Sequence, residues 1–279
     1  MGKHVVYLDT RKFFEKILSG ERDFSGIALE NDIFLIEMDG YKEVSKYLKE
    51  KWESGDLSKD PIKLNDARLR IVAPKINLPY IKANNLDIRG SNFFGAIFYG
   101  ADLVGIKGEG ADLRESDFRE AKLNEAYLPL ADLSRAKLNQ ANLEGAILGL
   151  TNFSGADLSG AKLKAAKLNR ANFSGATLVG ADFEEAYLKK AKFNGADCKA
   201  MTAINSDLRK VDFSRAILDM AYFSGADLRG VYICGTNLGG AYLKGAKINN
   251  SHRFFNIREG LDNIFKEKIV PFIRNLRYS

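Results

Sequence analysis

Residues 151–185 read TNFSG ADLSG AKLKA AKLNR ANFSG ATLVG ADFEE when divided every five residues. The third residue of each group is Leu or Phe, and the first is Ala or, once, Thr. Working outward, the same phase holds through Ala101-Asp102-Leu103, Ala111-Asp112-Leu113, Ala121-Lys122-Leu123, Ala156-Asp157-Leu158 and Ala181-Asp182-Phe183. Counted at the central position from Ile88 to Ile248, 33 groups follow one another with no insertion or deletion. A period of five is neither the 3.6 of an amphipathic helix nor the 3.5 of a coiled coil. Within each group, however, the two apolar positions are two residues apart, the same-face spacing of extended chain. Each group therefore predicts a very short extended step with its small and central residues inward and the residue between them outward. The remaining two residues form a corner, and Gly, Ser and Asn recur there, as in Phe153-Ser154-Gly155 and Leu158-Ser159-Gly160. Steps and corners repeated without change close into stacked coils around a continuous apolar column.

The A-[DN]-[LF]-x-x groups resemble the pentapeptide repeat family. The resemblance covers residues 86–250, 165 of the 279 in the chain. It implies an all-β solenoid: a right-handed, four-sided parallel β-helix with four groups, or 20 residues, per coil. About eight regular coils at roughly 4.8 Å each would make a rod about 40 Å long.

The ends depart from the repeat, and they are expected to be helical caps covering the open edges of the stack. Residues 1–85 are read as an N-terminal cap. Thr10 could N-cap a helix from Arg11 to Leu18, and Arg22 to Leu29 already resembles repeat groups. Residues 41–53 space Val44, Tyr47, Leu48 and Trp52 helically, which suggests an excursion from an irregular opening coil; a separate small domain is the alternative. Residues 251–279 form a C-terminal cap rich in apolar residues, among them Phe254, Phe255, Leu261, Phe265, Ile269 and Phe272, with Pro271 dividing its helix. Two roles are open to this segment: capping its own rod, or contact with a second copy, as C-terminal elements make in some family members.

Composition narrows the function classes. There is no apolar run near 18 residues and no signal-like stretch after Met1, so neither membrane insertion nor secretion is expected. Cys198 and Cys234 fall on different faces, so no disulfide is expected and a reducing cytoplasm is the default. His4 and His252 both lie outside the stack, and no His/Cys grouping has metal-ligand spacing. Gly240-Ala241-Tyr242-Leu243-Lys244-Gly245 spaces glycines like a phosphate loop, but Ala246 stands where Lys is required. Asp102, Asp112, Asp117 and Asp132 are read as neighbours on the coil surface, yet Asp is the ordinary solvent-facing choice at that position. No catalytic set converges, so no enzyme activity and no cofactor are expected.

Specificity is left to the outward residues. A 20-residue coil groups Lys167, Arg170, Lys189, Lys190, Arg209, Lys210 and Arg229 on one face, with Arg170, Lys190 and Lys210 at one corner of three successive coils. Stacked like charges call for an acidic partner, counterions, or relief from Asp207 and Asp227. Tyr127, Pro129, Leu130, Ile147 and Leu150 put an apolar patch on the same face, one or two coils earlier. Charge also varies along the rod: 7 basic and 10 acidic residues from 86 to 145, against 14 basic and 9 acidic from 146 to 250. Ile106 with Gly108, and Met201 with Ala203, exchange the large and small positions, which reads as local repacking with a bend as the alternative.

Three functions compete. The favoured one is a non-enzymatic rod that presents its faces to an unidentified protein partner. Some pentapeptide repeat proteins instead mimic duplex DNA as acidic dimers and protect type II topoisomerases. This chain departs from them in its net charge of +6 and in having no loop inserted between 86 and 250. Weak, salt-dependent binding of an anionic polymer is the third reading, though aromatic platforms for nucleic-acid bases are missing beside the basic residues.

Overall fold

A computed structural model describes residues 78–248 continuously, together with residues 6–7, 15–16, 18–19, 21, 27–34, 47, 50 and 68–72. From Leu78 onward each group contributes one isolated parallel bridge at its outward residue and one tight turn at its corner. Every bridge joins residues 20 apart, from Lys82↔Asp102 to Asp227↔Lys247, so four groups complete each coil. The pattern already holds eight residues before position 86, because Ile81 and Ala83 invert the large and small positions and hide the first groups from a Leu/Phe count.

Backbone hydrogen bonds explain why the period is five. The Leu103 N–H donates to the Lys122 carbonyl, the Lys122 N–H to the Ala101 carbonyl, and the Gly105 N–H to the Asn124 carbonyl, each joining adjacent coils. The Ala101 N–H turns back to the Phe98 carbonyl at 3.1 Å, closing the corner. Only the first corner residue has no carbonyl for its N–H among the described residues. An Asp or Asn at the outward position fills that need: the N–H groups of Phe94, Ser134 and Glu184 donate to Asn92, Asp132 and Asp182 at 2.9 Å. The A-[DN]-[LF] signature is thus a hydrogen-bonding requirement of the corner as well as a surface preference.

The core is one column of central residues tiled between small ones, nearly all fully buried. Identical positions in successive coils stack their side chains, and Phe153, Phe173, Phe193 and Phe213 form a ladder with ring centroids 4.9, 4.7 and 5.0 Å apart. Where Ser or Thr replaces the small residue, the buried hydroxyl donates to a carbonyl: Ser116 to Leu113, Thr151 to Leu128, Ser206 to Ala203 and Thr236 to Phe213. Bridges continue unbroken through residues 107 and 202, so both inverted groups are repacked in place without interrupting the ladder. Cys198 is buried at a central position, where desolvation pushes its thiol up, and Cys234 is exposed; both are free.

At the N-terminus, β1 (Val6–Tyr7), β2 (Ile27–Phe34) and β3 (Arg68–Val72) pair in parallel in that order. Val6 aligns with Ile27, and Ala28 with Arg68. The second offset is 40 residues, which leaves room for an excursion between β2 and β3, and Tyr47 and Glu50 within it are helical. Glu15, Lys16 and Leu18 are also helical, and the Ser19 N–H donates to the Glu15 carbonyl. The rest of the expected N-terminal cap and the whole C-terminal segment 251–279, with Phe254, Phe255, Leu261, Phe265, Ile269 and Phe272, lie outside the described residues.

Candidate functional site

The coil register aligns the residues expected on one face. The outward positions Tyr127, Ile147, Lys167, Tyr187, Asp207 and Asp227 form one parallel column. Leu130, Leu150, Arg170, Lys190 and Lys210 occupy the second corner position of the same face in five successive coils. Leu130 is 56% exposed and Leu150 50%. Tyr127, Lys167, Arg170, Lys189, Lys190 and Lys210 are exposed, and Ile147 is partly buried. Tyr187, half exposed between Lys167 and Asp207, belongs to the same surface but escaped the sequence reading. Its signal was its position 20 residues after Lys167.

This edge carries conformational strain. Its second corner residues have φ of 60° at Leu130, 61° at Leu150, 62° at Arg170, 63° at Lys190 and 60° at Lys210. That left-handed conformation costs a non-glycine residue about 1 kcal/mol or more, and the rod uses Gly at the same corner at 90, 110 and 230. No other corner avoids Gly for more than three successive coils. The glycine-free run also controls side-chain direction. Elsewhere a corner side chain lies down over the glycine of the following coil: Met220 Sδ sits 2.6 Å from where a Cβ on Gly240 would be, and Lys210 Cγ 3.0 Å from that point on Gly230. A Cβ in the following coil closes that resting place. That place is closed to Leu130, Leu150, Arg170 and Lys190, whereas Lys210 lies over Gly230.

The electrostatics select among the kinds of relief expected for the ladder. Arg209 and Arg229 are not available cations: each makes a bidentate pair with Asp207 or Asp227 two residues earlier, closing at 2.6 Å. Their guanidinium hydrogen bonds hold both carboxyls below the ordinary carboxylate range. Asp87–Arg89, Asp112–Arg114 and Asp117–Arg119 make the same clamp. The geometry follows from strand alternation: residues on either side of the inward central residue both point outward, and the short Asp turns its second oxygen toward Arg. Lys167, Arg170, Lys189, Lys190 and Lys210 make no ion pair among the described residues. The cationic part of the face is therefore these five residues, bordered by the Leu130/Leu150 patch.

The candidate carboxylate cluster disperses. Asp112 and Asp132 are neighbours in one column, but Asp102 and Asp117 project from two other faces. Asp112 is clamped to Arg114, and Asp132 accepts from the Ser134 N–H and the Asn152 amide. A groove of about 300 Å³ beside them is lined by Phe94, Arg114, Glu115, Asp132 and Arg135, with Arg114 paired to Asp112 and Arg135 3.6 Å from Glu115. Among the described residues no three metal-ligating side chains converge, and no helix is long and apolar enough to cross a membrane.

Known proteins agree with this geometry. The family model for pentapeptide repeats matches in eight copies over residues 111–149, 131–170, 166–197, 191–230 and 221–252, together more than half of the chain. No curated protein matches. Among solved structures, a trypsin-treated form of QnrB1, a plasmid-mediated fluoroquinolone resistance protein, is 26% identical. The match covers 66% of this chain and 91% of that one at a TM-score of 0.58. Full-length QnrB1 matches at 26% identity over 63% and 91% of the two chains, with a TM-score of 0.51. HetL, a pentapeptide repeat protein involved in heterocyst differentiation regulation in the cyanobacterium Nostoc sp. strain PCC 7120, is 26% identical over 88% and 99%, with a TM-score of 0.29. The repeat model, the 20-residue register and the closed backbone ladder agree: the chain belongs to the pentapeptide repeat family.

Proposed function

We propose that the chain is a non-enzymatic rigid scaffold that presents the edge from Leu130 to Lys210 to a protein partner. One observation carries this reading: five successive corner residues there are non-glycine, two exposed leucines followed by three cations that make no ion pair among the described residues. Every corner of the rod needs this conformation, but here five adjacent coils make it without the glycine used at 90, 110 and 230, so one edge carries an unbroken row of side chains. Exposed Leu beside Arg170, Lys190 and Lys210 suits a partner with an apolar patch next to acidic residues. The test is a pull-down from native lysate with the full chain as bait. Leu130→Ser with Leu150→Ser is expected to lose the partner while thermal stability stays put; unchanged recovery would assign the contact to another face.

The topoisomerase protection that the family resemblance implies for some members is a competing role, and the likeness to a fluoroquinolone resistance protein is in line with it. The DNA-mimicking reading requires an acidic rod, and the net charge of +6 opposes it here. The compartment we propose is the cytoplasm, on the strength of two thiols left free.

A second contact is proposed at the C-terminal end, with another copy of this chain. Val231, Ile233, Leu238 and Leu243 are only partly buried, whereas the equivalent residues in the middle of the rod are sealed. Light scattering is expected to give twice the 31.0 kDa chain mass, falling to that mass when Phe265 and Phe272 become Asp. A monomer in the unmodified protein would assign segment 251–279 to capping alone.

A further inference from the structure

We infer that the partner element seated on this edge is an α-helix with heptad spacing, apolar at one end of its contact seam and acidic at the other; the inference rests on the scaffold reading above. The edge repeats with the coil, and the stacked Phe ladder measures that repeat at 4.7 to 5.0 Å. Leu130, Leu150, Arg170, Lys190 and Lys210 therefore form a straight row with four intervals, about 19 Å long.

Three kinds of linear ligand meet such a row differently. The contact seam of a heptad helix advances 3.5 residues per contact, about 5.2 Å. Over four intervals it drifts from the row by about 2 Å, which flexible Arg and Lys side chains absorb. Same-face residues of an extended strand are about 6.6 Å apart, so a strand would run out of register by about 7 Å. An anionic polymer would meet Arg170 and Lys190 but would leave Leu130 and Leu150 against charged groups. The order of the row, two apolar residues and then three cations, also assigns a direction to the partner: two apolar seam positions, then acidic ones. Leu130, Leu150, Arg170 and Lys190 are all exposed, which leaves the row open to a helix laid along the edge.

The test places a photoreactive benzophenone amino acid at position 130 or at position 190 of the full-length chain. The chain is irradiated in its own cells, and the attachment sites are mapped by mass spectrometry. Positions 130 and 190 are three coils apart, about 15 Å. A helical occupant predicts attachment to one segment of one protein at sites about 10 residues apart. Sites 4 or 5 residues apart would mean an extended occupant, which overturns the helix and leaves the scaffold reading standing. Attachment to nucleic acid would overturn both. Attachment to this chain's own residues 1–75 or 251–279 would mean that the edge is covered from within, and it would also overturn both. No attachment at 130 or 190, with attachment from a control at Arg135 on another corner, would move the interaction to a different face. Arg170→Glu is expected to cut the yield from position 190 about tenfold, because it places a like charge opposite the acidic seam.

Discussion

Phe173→Ala is expected to lower the free energy of unfolding by about 3–5 kcal/mol. The Phe173 ring is fully buried, stacked on Phe153 at 4.9 Å and on Phe193 at 4.7 Å, with Phe183 edge-on at 5.7 Å. Removing it opens a cavity in the middle of the Phe ladder, and the coils above and below are held by an unbroken backbone ladder that resists collapse. A solenoid is stabilised chiefly by contacts between neighbouring coils, so the loss falls on one interface and divides the rod into two blocks. Urea unfolding followed by circular dichroism should show a lower midpoint and a shallower or two-step transition. A loss below about 1 kcal/mol would mean that neighbouring rings close the gap, contrary to the packing described.

Gly108→Leu is expected to destabilise the protein by about 3 kcal/mol, and Ile106→Ala in the same chain to restore most of that loss. A Cβ on Gly108 would lie 2.7 Å from Leu128 Cδ2 and 3.1 Å from Ile88 Cγ1, well inside contact distance. The space beside Gly108 is filled by Leu128 and Ile88 from the adjacent coils, while the large side chain of this group, Ile106, is fully buried at the position usually held by Ala. Ile106→Ala alone should therefore cost about 2–5 kcal/mol as a cavity. The double variant rebuilds the ordinary Ala-Lys-Leu group, and the two changes should couple by several kcal/mol in a thermodynamic cycle. Additive effects would mean that Gly108 is required for its backbone and not for the volume it yields.

The same two substitutions show how much of the fold was legible in the residues. Periodicity identified every inward position from Ile88 to Ile248, and the exchanged sizes at 106/108 and 201/203 could be recognised as conserving volume because the phase never slipped. The matching exchange at Ile81/Ala83 was not recognised, since its Ile-Lys-Ala group has neither the leading Ala nor the central Leu or Phe by which groups are counted. The five Asp-x-Arg clamps were also readable, as both residues flank one inward residue and so share an outer face. Relief of Arg209 and Arg229 by Asp207 and Asp227 was among the expected possibilities, and the clamps supply it.

Spacing of five residues along the chain determined the stepped, cornered backbone and its inward column, because each group meets the same local hydrogen-bonding and packing demands wherever it occurs. The closure of four groups into one coil decided what lies beside what at the surface. Residues 20 apart become neighbours at 4.7 to 5.0 Å, so Leu130, Leu150, Arg170, Lys190 and Lys210 form an edge that no local window contains. The room over Gly230 that Lys210 occupies is likewise set by the residue 20 positions later, a contact only the tertiary stack creates.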